Sequence, residues 1–194
     1  LAEWIVNRFN LTEKEGIGID LGGGSGHLII ELCRRTRALH WINADLNPEC
    51  FFRLARLAEA AGIGPRISAL WADAQNLPFR DNYADIIVSR GSFQFWPDLH
   101  AALREIHRVL KPGGSALIGR GFSENLPPEI ARQVRETQQK NSAFPKYDVD
   151  ETEHRLRQVM IDLGIADFLI LRPRPHGSAG INYGIWLIFE KESA

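Results

Sequence analysis

From Gly16 to about Leu163, short apolar runs alternate with segments whose apolar residues recur at the helical period. That alternation marks βαβ units and restricts the chain to helices packed against a mostly parallel sheet. The first strand reads Ile17-Gly18-Ile19-Asp20-Leu21 and is followed by a glycine-rich turn and a helix over 26–36. A second strand over 39–45 ends in an acid, Asp45. Asn47-Pro48 then supplies an N-cap and a proline at the first helical position. The helix it opens carries Phe51, Leu54, Ala55 and Ala58 on one face and stops near Gly62.

A third strand is expected over 66–71 and a fourth over 84–89, the latter largely apolar, as for a strand covered on both faces. Pro97 and Asp98 open a helix with the stripe Leu99, Leu103, Ile106 and Leu110. Lys111-Pro112-Gly113-Gly114 breaks it, and residues 115–119 read as a fifth strand. A polar segment over 121–147, with a weakly amphipathic helix around 129–139, comes next. Asp150 with Glu153 resembles a capping box for a helix burying Leu156, Val159, Met160 and Leu163, with Gly164 at its end. Strands near 168–172 and 182–190 close the chain and can pair antiparallel at the sheet edge. No repeat or linker divides the chain, so one domain over 1–194 is expected.

Composition narrows the function. The 23 basic residues against 24 acids give a net charge of −1, with no basic stripe of the kind that phosphate-backbone binding requires. Nucleic acid is therefore not an expected partner. Cys33 and Cys50 both fall in expected helices, which argues against a disulfide framework and for a reducing compartment. No apolar run reaches membrane-spanning length and no signal-peptide pattern opens the chain. A cytoplasmic location is expected by default. The chain begins at Leu1 rather than Met, which leaves room for natural residues before it.

The sharpest local signal is Asp20-Leu21-Gly22-Gly23-Gly24-Ser25-Gly26, between a strand and a helix. Glycines there permit positive φ and let a ligand approach the backbone, while the helix N-terminus offers free N–H groups. Such a turn could hold a dinucleotide pyrophosphate or the methionine and ribose parts of S-adenosylmethionine. The dinucleotide fingerprint needs a third glycine at position 27, which is His27. Asp45, 19 residues beyond Gly26, suits the ribose hydroxyls of an adenosine group but does not choose between cofactors.

The spacing Asp20-x-Gly22-x-Gly24-x-Gly26 resembles motif I of class I S-adenosylmethionine-dependent methyltransferases. Trp71-Ala72-Asp73-Ala74 with Leu77-Pro78-Phe79, and Leu110-Lys111-Pro112-Gly113-Gly114, are similar to later motifs of that family. The likeness is greatest to its ubiquinone and menaquinone biosynthesis group (methyltransferase type 11). It runs from about Gly16 to Gly119. It implies a three-layer α/β fold, a Rossmann-like doubly wound sheet of about seven strands with an antiparallel edge strand.

By the same resemblance the cofactor is S-adenosyl-L-methionine. Asp20, Gly22, Gly23 and Gly24 border its methionine and ribose portions. Asp45 holds the ribose and Leu46 lies against the adenine. Asp73 accepts from the adenine amino group, with Ala74 at the ring edge. Ser89 and Arg90 lie near the methionine amino and carboxylate groups. Gly23 is a departure, since many relatives carry Cys or another small side chain there.

Phe93, Phe95 and Trp96, after the fourth strand, are candidate substrate-wall residues, because ligands sit at the carboxyl ends of parallel strands. The segment 121–147 is placed to cover the site, with Tyr147 a further substrate candidate. No histidine has the setting of a general base, and no catalytic residue is assigned. No His/Cys spacing suits a metal. Ser89-Arg90-Gly91-Ser92 is unlike the Asn/Asp-Pro-Pro-Tyr signature of nucleic-acid amino methylation, and there is no Pro-Cys nucleophile for cytosine chemistry. The expectation is methyl transfer to a small molecule by a monomer or homodimer. The rivals are an NAD(P)-dependent oxidoreductase and a non-catalytic S-adenosylmethionine-binding module.

Overall fold

The computed structural model describes residues 1–139 and 148–193. Its strands are β1 (Glu15–Leu21), β2 (Ala38–Asp45), β3 (Ile67–Trp71), β4 (Ala84–Arg90), β5 (Leu110–Gly121), β6 (Phe168–Leu171) and β7 (Gly184–Glu190). They form one sheet in the order β3-β2-β1-β4-β5-β7-β6. The first five are parallel, and β7 inserts antiparallel between β5 and β6. The expected seven-stranded, doubly wound sheet with an antiparallel strand beside the fifth is what the chain adopts.

The middle of β4 shows why its sequence is apolar. Ile87 points into a core shared with α4 (Leu99–Val109) and α6 (Val149–Asp162). Its neighbours Ile86 and Val88 point the other way, into a core shared with α1 (Ala2–Arg8), α2 (His27–Arg35) and α3 (Glu49–Ala60). With side chains alternating between two covered faces, neither face tolerates polar residues. Buried polar side chains on the strands are few, and two of them, Asp20 and Asn43, lie beneath the glycine turn.

Helix α5 (Pro128–Gln139) packs instead on a small third core of Phe122, Ala131 and Tyr183, beyond the end of β5. The Tyr183 hydroxyl donates to the Leu126 carbonyl at 2.7 Å, and Trp186 Nε1 donates to the Phe122 carbonyl at 3.0 Å. These bonds fasten Phe122 and Leu126, in the first part of the 121–147 segment, to the start of β7 and the residue before it. Tyr147 lies outside the described residues.

Two local expectations are corrected, and one helix is new. The helix α6 is capped by Asp148, whose Oδ1 accepts from the Asp150 and Glu151 amides at 2.7 and 3.0 Å, and not by Asp150. Two aspartates two residues apart compete for the cap, and the upstream one takes the extended backbone a cap needs. Lys111-Pro112-Gly113-Gly114 ends α4 as expected but continues directly into β5. The pairing jumps from Ala84–Leu110 to Ile86–Ser115, so the run is an irregularity within the strand. Helix α1 carries no expectation from the sequence reading; its Trp4, Ile5 and Val6 are buried against α2.

Candidate functional site

The site grows from the carboxyl ends of β1, β2 and β4, where the strand order reverses direction about β1. Gly22 and Gly24 take φ of 69° and 54°, which the turn requires and side chains disfavour. The turn is held mainly from β2. The Gly22 amide donates to the Ala44 carbonyl at 2.7 Å. The Gly24 amide donates to Asp45 Oδ2 at 2.8 Å, and Asn43 Nδ2 donates to the Gly24 carbonyl at 2.9 Å. Both ends of one residue are thus fixed by side chains two apart on β2, which share a face because strand side chains alternate.

From the other side, Ser92 Oγ donates to the Leu21 carbonyl at 3.1 Å and shares a 2.6 Å hydrogen bond with Ser89 Oγ. A Cβ on Gly22 would run into the Ser92 side chain, while one on Gly24 would meet nothing within 4 Å. Gly24 therefore presents bare backbone to open space.

Beneath the turn lies Asp20, 1% exposed, and neither of its carboxylate oxygens has a hydrogen-bond partner. Its pKa is pushed up to about 7 by burial first and then by the Asp45 charge. Arg90 from β4 opposes that rise, and so, more weakly, does the Ile29 amide at the start of α2, which faces the carboxylate without reaching hydrogen-bond geometry. An unpartnered carboxylate in this position leaves the site short of a cationic donor.

Asp45 is already engaged, its Oδ1 accepting from the Asn47 amide at 2.8 Å. Each carboxylate oxygen has two lone pairs, so one acceptor position on each oxygen stays open. Asn47 Oδ1 in turn accepts from the Glu49 amide at 3.0 Å, capping α3. Leu46 and Trp71, at the ends of β2 and β3, are both 58% exposed. Asp73 Oδ1 accepts from the Gln75 amide at 2.9 Å, and Ala74 is buried. Gln75 Oε1 also accepts from the Asp98 amide at 2.8 Å, tying this loop to the start of α4.

A cleft of 450 Å³ opens beside Arg90, between the start of α2 and α5. Leu28, Phe122, Leu126, Ile130 and Val134 give it an apolar wall. Glu31 on its rim is paired with Arg34 and Arg35, whereas Arg90 forms no ion pair among the described residues. Among the described residues no cluster of His, Cys, Asp or Glu could hold a metal ion, and no helix is long and apolar enough to cross a membrane.

The structure thus gathers Asp20, Gly22, Gly23, Gly24, Asp45, Ser89 and Arg90 at the ends of adjacent strands, with Leu46, Asp73 and Ala74 along the same edge. The three aromatics after β4 separate. Phe93 is 7% exposed and belongs to the core, so it offers no free face as a substrate wall; Phe95 is 61% exposed and Trp96 half-buried. Asn43 and Ser92 escaped sequence reasoning because their roles rest on contacts to backbone far away in sequence. For Asn43 a signal existed: a polar residue in an otherwise apolar strand, two before the acid.

A methyltransferase-domain family model matches residues 19–118, just over half the chain. A solved structure of a candidate S-adenosyl-L-methionine-dependent methyltransferase from Methanococcus maripaludis is 32% identical. That likeness has a TM-score of 0.79 and covers all of this chain and 84% of that one. The chain belongs to this methyltransferase family. The class I, Rossmann-like resemblance read from its motifs is borne out. The domain is 38% identical over 104 residues to a chloroplastic 2-methyl-6-phytyl-1,4-hydroquinone methyltransferase of Arabidopsis thaliana. It is 36% identical over 100 residues to a demethylmenaquinone methyltransferase of Thermus thermophilus. Each match takes in 52% of this chain but only 29% and 44% of those relatives' own lengths.

Proposed function

We propose that this domain binds S-adenosyl-L-methionine at the glycine turn and transfers its methyl group to a small, largely apolar acceptor in the neighbouring cleft. The observation that carries the reading is Asp20. A buried carboxylate without a partner, under a turn of bare backbone, suits a ligand that is cationic at one end and needs close approach along its length. S-adenosyl-L-methionine fits those residues and supplies a methyl group already activated on sulfonium.

The chain's own contribution is to bind, orient and exclude water. Asp20 receives the ammonium of the methionine arm, with Ser89 and Arg90 beside it. Gly22, Gly23 and Gly24 pass the arm and ribose without side-chain contact. Asp45 accepts from ribose hydroxyls with its remaining lone pairs, Leu46 and Ala74 flank the adenine, and Asp73 accepts from its amino group. Leu28, Phe122 and Ile130 border the acceptor in that cleft, while Phe95 and Trp96 lie outside its lining. Holding acceptor and methyl donor in line can lower the barrier by about 7–11 kcal/mol in the best intramolecular models.

The two relatives above are named for hydroquinone and menaquinone methylation. An apolar wall with one unpaired cation suits an aromatic acceptor bearing a hydroxyl or its oxyanion, so quinol-like compounds are the first class to test. The reading is completed by a single cytoplasmic domain, monomeric or homodimeric, acting on small molecules and not on nucleic acid. Purified protein with radiolabelled S-adenosyl-L-methionine should label an organic-extractable hydroquinone from a panel of phenols and quinols. Label appearing only in RNA, DNA or protein fractions would overturn it.

A further inference from the structure

Asp20 is one of two unsatisfied acceptors in the same spot. Asn43 is 0% exposed, and its Oδ1 also has no hydrogen-bond partner. Both pack against Gly23, on the side where a side chain would project. A Cβ on that residue would fall 2.6 Å from Asp20 Oδ2 and closer still to Asn43 Oδ1. The orientation of the Asn43 amide is fixed, because the Gly24 carbonyl can only accept and so takes Nδ2. Its oxygen must then point toward the carboxylate. Two buried acceptors aimed at one volume, with no donor between them, are unfavourable unless a proton or a cation sits there. The bareness of Gly23 follows from the same crowding, since Asn43 and Asp20 fill the place of its side chain.

We propose that Asn43 is a ligand-binding residue which, with Asp20, forms a two-acceptor seat holding one proton in the free protein and exchanging it for the ammonium of the methionine arm. In the free protein the Asp20 carboxyl donates its proton to Asn43 Oδ1. On binding, that proton leaves to solvent, and the ammonium donates to the ionised Asp20 and to Asn43 Oδ1. One positive charge enters as one leaves, so the buried site stays neutral in both states. The charged groups acting on Asp20 are Asp45 from β2, which favours the protonated form, and Arg90 from β4, which opposes it; α2 contributes only the Ile29 amide. The proposal rests on the cofactor reading above, but it concerns what fills the seat when the cofactor is away.

The test is calorimetry of S-adenosylhomocysteine binding to the whole chain in buffers of different ionisation enthalpy. Its comparison ligand is 5′-methylthioadenosine, which has the same adenosine but no ammonium. With Asp20 titrating near 7, S-adenosylhomocysteine should release about 0.9 proton at pH 6 and about 0.1 at pH 8. 5′-Methylthioadenosine should release none from this seat. Asp20→Asn should abolish the release and weaken S-adenosylhomocysteine more than tenfold, with the fold checked by circular dichroism. Asn43→Ser, which is too short to reach Asp20, should weaken S-adenosylhomocysteine several-fold more than 5′-methylthioadenosine.

Tight S-adenosylhomocysteine binding without proton release at pH 6 would overturn the exchange while leaving the cofactor reading intact. Equal release with both ligands would place the proton elsewhere. Failure of both ligands to bind folded protein would overturn the cofactor reading itself. Wild-type affinity and release in Asn43→Ser would remove Asn43 from the site.

Discussion

Asp20→Asn should make the ligand-free protein more stable while damaging its binding. The side chain is fully buried, and its pKa stands at about 7 against an ordinary value of 3.8. Between about pH 4 and pH 7 the folded protein therefore keeps a proton that the unfolded chain has released. Stability falls as pH rises across that interval and is flat above it. The accumulated cost of ionising Asp20 by pH 8 is about 4 kcal/mol. Asparagine has the same shape, carries no charge and can donate to Asn43 Oδ1. The variant should match wild type below about pH 4 and exceed it increasingly up to about pH 7.5. For a chain of this length the gain corresponds to roughly 8–16 °C in Tm at pH 8. Urea titrations of both proteins at half-unit pH steps give the difference directly, and groups common to both cancel. A variant no more stable than wild type at pH 8 would mean that Asp20 is solvated or paired, and the argument for a ligand cation at that spot would fail.

Asp45→Ala should weaken S-adenosylhomocysteine binding by about 1.5–3 kcal/mol by calorimetry. The upper end is expected because Asp45 also anchors the Gly24 and Asn47 amides. Gly24→Val should abolish binding at a modest cost in stability. The added side chain meets open space, but φ of 54° disfavours it by roughly 1–2 kcal/mol; retained binding would show that the ligand does not pass over Gly24. Arg108 bonds Glu105, Asp81 and the carbonyls of Leu77 and Phe79, clamping the β3–β4 connection. Arg108→Ala should cost about 2–3 kcal/mol in urea unfolding. Because Arg108 holds the Glu105 carboxyl below its usual range, part of the wild-type stability is lost as pH falls below 4.5, and the variant should lack that acid sensitivity.

The parts of the fold legible in the sequence are those with a repeated physical signal. Ile86, Ile87 and Val88 mark a strand buried on both faces, and Leu99, Leu103 and Ile106 mark one face of a helix. Asp98 before that stripe caps it, its Oδ1 accepting from the Ala101 amide at 2.9 Å. Gly164, with φ of 70°, ends α6 as its position suggested. Helix α1 is too short for its periodicity to stand out, and its burial depends on α2. The choice between Asp148 and Asp150 as a cap turns on backbone geometry that the residues around either one allow. In the site, Asp20, Asp45 and the glycines announce themselves by spacing. What spacing could not convey is that Phe93 turns inward, that Ser92 fills the space against Gly22, and that Asn43 leaves an acceptor facing Asp20. Each depends on residues brought together from separate strands.

The most direct test of the account is a crystal structure of the protein grown with S-adenosylhomocysteine. Its ammonium should sit on Asp20, its ribose hydroxyls on Asp45 and its chain along Gly22, Gly23 and Gly24. A turn packed by protein side chains with the ligand bound elsewhere, or uptake of NAD in its place, would contradict it.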